Sequence, residues 1–314
     1  MITQSRIRRA FRLLAFSGPV LLLGVLAALW TVGAMEPAKW IDTSWILGFD
    51  PGSQREFAPP FAPMQLLDAQ ARGGGVHDVH RYILGSDAGG RDLLGLMVRG
   101  SWPSLRLVLL AVFARLVIGV LAGMALALGA VPIRLIGLAM GRWTVGFPYL
   151  VLAIIVIDAL VNYQSRLVAF AIAITLVGWR DIAELTAERT QAVLSQPYAV
   201  AARALGSGRI RLFIRHVVPH LRPVLLAEAT FQASAVLVLL GELGYLGFFL
   251  GQTGSFNGVN LPAAEIGQLL SVARDYILRE QWTPVLVPAM TLAIAALAFE
   301  LLGLALKRRW EMPV

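Results

Sequence analysis

Six stretches of mostly apolar residues punctuate the chain, over 13–34, Ser104–Ala130, Leu135–Val161, Arg166–Leu185, Val217–Leu240 and Pro284–Leu306. A helix that crosses a bilayer needs roughly 20 such residues. The pattern therefore predicts an all-α membrane protein with six transmembrane helices and both termini on the same side. The first stretch follows Arg6, Arg8, Arg9 and Arg12, flanks that a signal peptide shares. Its length exceeds the apolar core of such a peptide and further spans follow, so it is expected to remain as an anchor.

Basic residues orient this frame. With the amino terminus in the cytoplasm, Arg134, the arginines between 203 and 215, and Lys307, Arg308 and Arg309 all fall inside, as the positive-inside rule requires. The predicted order is a cytoplasmic segment 1–12, a first span 13–34, an external loop 35–103, a five-helix core 104–306 and a cytoplasmic tail 307–314. The loop carries Pro51, Pro59, Pro60, Pro63 and the run Gly73, Gly74 and Gly75. It is too long to be structureless and is expected to contain short helices. The pairs Gly119/Gly123 and Gly137/Gly141 are each spaced four apart, which lets helices approach closely within a bundle.

One internal segment, 197–219, breaks the apolar pattern. It runs Pro197-Tyr198-Ala199-Val200-Ala201-Ala202-Arg203-Ala204-Leu205-Gly206, then through Arg209, Arg211 and Arg215 to His216 and Pro219. Small alanines, a glycine break, a second short amphipathic stretch and a proline describe two short helices meeting at an angle. Such an element cannot span a bilayer, and its arginines place it in the cytoplasm. It is suited to being gripped by a soluble partner, with Gly206 allowing a turn that no β-carbon tolerates.

Composition agrees. Of 314 residues, 57% are hydrophobic and 15% charged, against about a quarter charged in soluble domains. The formal charge of +8 belongs to span flanks and not to an interleaved basic and aromatic face, so no nucleic-acid partner is expected. The absence of cysteine excludes disulfides, thiolate metal sites and cysteine nucleophiles. The lysines, Lys39 and Lys307, lie outside any phosphate-binding loop, so the chain is not a P-loop ATPase. His77/His80 and His216/His220 lack the glutamate of a zinc-protease helix, and Pro219 is expected to interrupt the second pair, so no metal is assigned. No catalytic constellation is present, and no cofactor is expected.

Three ordered motifs together resemble the permease subunits of binding-protein-dependent ABC importers, most closely the C-type permease of the dipeptide/oligopeptide/nickel family. Tyr198, Ala201 to Gly206, Phe213, Arg215, His216 and Pro219 are similar to that family's cytoplasmic EAA loop. Leu84 to Leu94, with Gly85, Asp87, Gly90, Arg91 and Asp92, resembles its external Gly-Arg-Asp signature. Leu270, Ser271 and Arg274 to Leu278, then Trp282 and Pro288, resemble its approach to the last span. Val200 stands where the EAA glutamate is expected, and Ile266-Gly267 replaces the family's Trp-Gly.

The resemblance implies a non-catalytic subunit of the bacterial cytoplasmic membrane, taking di- or oligopeptides from an external solute-binding protein. Its partners would be a homologous second permease and two cytoplasmic ATPases. Tyr198, Ala201, Ala202, Arg203, Gly206, Arg211, Arg215, His216 and Pro219 would then couple to an ATPase. The ionisable and amide residues within spans are Asp158, Asn162, Glu228, Gln232 and Glu300, with Arg115 and Arg142 as basic counterparts. Burying them costs several kcal/mol, so they either line an aqueous path or pair between helices. An ion-gradient-driven carrier, the alternative from another class, would place charged coupling sites at broken helices near mid-membrane and would lack a cytoplasmic docking segment. A membrane-anchored enzyme lacks the residues for its chemistry.

Overall fold

The computed structural model describes residues 24, 28, 31, 60–70, 77–87, 90–129, 148–251, 254–256, 259–261 and 265–311. The expected first span apart from residues 24, 28 and 31, residues 135–147 of the third, Arg134, Arg142, and the Gly73 and Gly137 runs lie outside them. The described part is mostly helical. We label its helices α1 (Leu93–Leu128), α2 (Tyr149–Val161), α3 (Arg166–Leu194), α4 (Pro197–Ala204), α5 (Arg209–Leu212), α6 (Val218–Tyr245), α7 (Ile266–Leu269), α8 (Ala273–Leu278) and α9 (Thr283–Glu311). A π-helical turn, Phe213–Val217, joins α5 to α6.

Among the described residues, Leu93–Leu128, Arg209–Tyr245 and Thr283–Arg309 are long and apolar enough to cross a membrane, and Tyr149–Val161 is a shorter apolar helix. The helix α3 is not among these. Arg180, Asp181 and Glu184 follow its apolar half, and it continues to Leu194 instead of ending near Leu185. The start of α1 also departs from expectation, since the helix begins at Leu93 and runs through Pro103. Pro103 lacks the N–H that would bond Arg99 O, and proline is tolerated within spanning helices. Here Ser101 Oγ donates to Val98 O at 2.7 Å and Ser104 Oγ lies 3.0 Å from Gly100 O.

The all-α expectation needs correcting in the loops. Strands β1 (Gln65–Gln70) and β2 (His77–Tyr82) form an antiparallel hairpin, with Gln65 opposite Tyr82 and Gln70 opposite His77. They occupy the region where short helices were expected. A glycine run between extended segments is a turn signal, and the hairpin brackets it. A smaller hairpin pairs β3 (Gly254–Phe256) with β4 (Val259–Leu261).

The chain divides into two compact units. One comprises Leu107–Val236 and Ala296–Val314. Within it α1 and α3 meet at Gly119 and Gly123, where a β-carbon would lie 2.6 Å from Ile182 Cβ and 2.5 Å from Ala183 O. The two glycines thus act as contact surfaces, as their spacing predicts. The helices α2 and α3 pack on one another, and Ser165 caps α3 by accepting from Val168 N. The other unit comprises Gly24–Arg106 and Leu237–Ala295, and holds both hairpins, α7, α8 and the start of α1.

Candidate functional site

The segment between α3 and α6 is built as two short helices around one tight turn. Pro197 occupies the first turn of α4, where its missing N–H costs nothing. The helix then closes with Gly206 N donating to Arg203 O at 3.0 Å and Ser207 N to Ala202 O at 3.1 Å. These two bonds form a Schellman closure, which needs a left-handed residue at its centre. Gly206 fills that position with φ of +87°. Gly208 is extended, and α5 begins at Arg209.

Where Pro219 was expected to break the helix, the π turn lets it continue. Val218 N reaches back to Phe213 O, so the wider turn absorbs the residue with no N–H. His216 and His220 therefore share one helical run, and His220 Nδ1 lies 2.7 Å from His216 O. Tyr198 packs on both imidazoles, with ring centroids 5.7 Å from His216 and 6.5 Å from His220. This holds α4 against the start of α6.

One face of the segment belongs to the bundle. Phe213, Val217 and Leu221 are buried with Val193 of α3, and Val120, Met124 and Leu128 of α1 pack against them. The other face is open and largely apolar. Leu205 is 89% exposed, Ile210 66%, Ile214 62% and Val200 52%. Tyr198, Ala201, Arg203, Arg211, Arg215 and Pro219 are also exposed, while Ala202 and His216 are half-buried. Leu205, Ile210 and Ile214 were not singled out in the sequence, although isolated apolar residues in an arginine-rich segment were the signal. Val200, in place of an acidic residue, makes this face wholly apolar and basic.

The external motif is a closed turn. Gly85 and Gly90 both have positive φ, at +84° and +74°, and a β-carbon on Gly85 would lie 2.7 Å from Phe61 O. Asp87 accepts from Arg91 N at 2.8 Å and pairs with its guanidinium at 2.6 Å. Asp92 caps α1 by accepting from Leu94 N. Ser86 Oγ accepts from Phe61 N, and Tyr82 OH donates to Gly90 O at 2.9 Å. Tyr82, Asp87, Arg91 and Asp92 are all buried. Burial, then Asp92 and Asp87, raises the Tyr82 phenol above its ordinary pKa, which keeps it a hydrogen-bond donor. The motif's charges thus satisfy one another and start α1.

Within the spans, three of the candidate polar residues form a chain. Arg115 Nη1 donates to Gln232 Oε1 at 2.6 Å, and Gln232 Nε2 donates to Glu228 Oε1 at 2.9 Å. Arg115 also donates to Ile174 O through Nε and Nη2, at 3.0 and 2.7 Å. Gly178 makes room for that guanidinium, since any β-carbon there would collide with it. Interhelical pairing of α1, α3 and α6 is the result. Asp158 and Asn162 are exposed at the end of α2, and Glu300 is half-buried on α9.

A further polar cluster escaped the sequence. Glu265 caps α7, accepting from Gly267 N and Gln268 N at 2.9 Å each, and Ser104 Oγ of α1 lies 3.2 Å from it. Burial raises its carboxyl above the usual range, against the hydrogen bonds that lower it.

Comparison with known proteins decides among the readings. Residues 115–312 match the family described as the binding-protein-dependent transport system inner membrane component. The chain belongs to that family. It is 32% identical to the di/tripeptide transport system permease protein DppC of Pseudomonas aeruginosa, covering 82% of this chain and 78% of that one. It is 25% identical to the nickel transport system permease protein NikC of Escherichia coli K12, covering 85% and 86%. A structure of the MetNI methionine ABC transporter shares the fold, with a TM-score of 0.52, 19% identity and coverage of 68% of this chain and 94% of that one. The permease is accordingly an ABC importer subunit of the bacterial inner membrane, related to dipeptide and nickel permeases. Membership sets aside both the gradient-driven carrier and the anchored enzyme.

Proposed function

We propose that the permease forms half of a path for di- or oligopeptides, paired with a homologous second permease. One of two cytoplasmic ATPases sits on the open face of α4 and α5, and an external binding protein delivers the solute. The six-span frame with both termini in the cytoplasm is part of this reading. So is the absence of ATP hydrolysis by the chain itself. Asp158 and Asn162, exposed at the end of α2, are the strongest pathway candidates, because Gln232 is engaged with Arg115 and Glu228 with Gln232.

The observation that carries docking is the asymmetry of the segment. One face is sealed into the bundle, while Val200, Leu205, Ile210 and Ile214 stay exposed among Arg203, Arg211 and Arg215. A partner groove with an apolar floor and acidic rim matches that face, since charge-assisted contacts to arginine are the stronger ones. The peptide reading rests on the relative named as a di/tripeptide permease.

Two substitutions test docking. Gly206→Val strains a left-handed turn by about 1–2 kcal/mol, and Ala202→Trp overfills the contact face. Both should spare the spans, yet release the ATPases on co-purification or leave their hydrolysis indifferent to loaded binding protein. Normal retention and normal stimulation in both variants would reduce the segment to a loop. Mass spectrometry of ligand carried by the binding protein tests the solute, and a metal ion without peptide would reject the peptide reading.

A further inference from the structure

We infer that Arg209 is a positioning residue of the transport cycle, tying the α4–α5 element to the carboxyl-terminal end of α1 so that the two move together. The inference rests on the reading that α4 and α5 receive an ATPase. Its observation is separate. Arg209 Nη1 donates to Leu128 O at 2.9 Å, across 81 residues of sequence.

Leu128 is the last residue of α1. The last four carbonyls of a helix have no partner within it, and that end carries partial negative charge. A guanidinium placed there satisfies a carbonyl and complements the helix dipole at once. The same helix end is also held by apolar contact, since Met124 and Leu128 pack on the cluster of Val193, Phe213, Val217 and Leu221. Arg209 lies among the arginines of the docking segment. The structure gives it a partner within the chain.

The α4–α5 element follows α3 in the chain and leads through Phe213–Val217 into α6, and Tyr198 packs on His216 and His220. A π turn is a departure from regular helical bonding that recurs at functional positions, and it is the one route from α5 into α6. A push on α4 and α5 can be dissipated by bending there. The Arg209 bond bypasses that turn and carries displacement directly to α1. The left-handed turn at Gly206 sets the direction in which α5 begins, and so places Arg209 against the helix end.

The chain has no cysteine, so spin labels at Ala127→Cys and Gln196→Cys, the exposed residue just before α4, report the separation of the α1 end from the docking element. The permease is co-expressed with its ATPase subunits and measured without nucleotide and with ATP plus vanadate. The unsubstituted background should give one narrow distance in both states. Charge at a helix terminus shifts a two-state population by roughly two- to fivefold, so Arg209→Ala should raise the detached population by that factor. Arg209→Lys should restore the narrow distance, because an ammonium also reaches the last carbonyls. The ATPases should co-purify with all of these proteins. An unchanged distribution in Arg209→Ala, or a lysine variant as broad as the alanine one, overturns the inference. So does loss of the ATPases from Arg209→Ala at unchanged distance, which would make Arg209 a contact to the partner. Retention of the ATPases by Ala202→Trp counts against the docking reading instead, and the label distances decide the Arg209 tie in either case.

Discussion

Glu265 combines a buried carboxyl with several hydrogen-bond donors, and these two influences oppose each other. Backbone N–H groups from Gly267 and Gln268, with the hydroxyl of Ser104, favour the carboxylate, while complete burial favours the neutral acid and is the larger effect. The folded chain therefore keeps a proton over a pH range where the unfolded chain has released it. By linkage, the stabilisation from that proton is fully present in acid and is lost as pH rises through the folded pKa. One proton gives a slope of at most about 1.4 kcal/mol per pH unit. Thermal unfolding of the detergent-solubilised permease should show a midpoint that falls from acid to alkaline pH. Glu265→Gln, neutral throughout, should flatten that dependence, and an unchanged slope in the variant would remove Glu265 as its source.

At the scale of elements, the seam between α1 and α3 depends on having no side chain at Gly119 and Gly123. A β-carbon at Gly123 would lie 2.5 Å from the backbone oxygen of Ala183, which cannot rotate away. Gly123→Leu must push the helices apart, and overpacking of this kind costs typically 1–3 kcal/mol. Gly208→Ala is the matched control, because nothing lies within 4 Å of its added carbon. Size-exclusion chromatography after graded heating should show earlier loss of the monodisperse peak for Gly123→Leu alone. This seam was legible because a spacing of four places both glycines on one helix face. The Gly206 turn was legible for a similar reason, since local geometry demands that residue type. The pairing of Ser104 with Glu265 was not, as 161 residues separate them and only the fold brings them together. Nor was the β1–β2 hairpin, whose polar strands lack the alternation that marks a buried sheet face. The passage of α1 through Pro103 was hidden because proline usually marks a helix break, whereas a long apolar helix of this kind tolerates it.

At the scale of the whole molecule, the claim most exposed to test is which side of the membrane each connection occupies. The arginines of α4 and α5, with Lys307, Arg308 and Arg309 at the end of α9, argue for one cytoplasmic surface. On the proposed frame, in which α6 and α9 each cross once, the connection between them lies outside. Two exposed residues mark the two sides, Leu205 after α4 and Leu278 at the end of α8, which are 89% and 73% exposed. Each can be replaced by cysteine in a chain that has no other thiol. An impermeant maleimide applied to intact cells with a permeable outer envelope should label Leu278→Cys and spare Leu205→Cys. Disrupting the inner membrane should bring Leu205→Cys to full labelling. The reverse pattern would turn the permease over, put the docking face outside, and leave no cytoplasmic surface of this kind for an ATPase to hold.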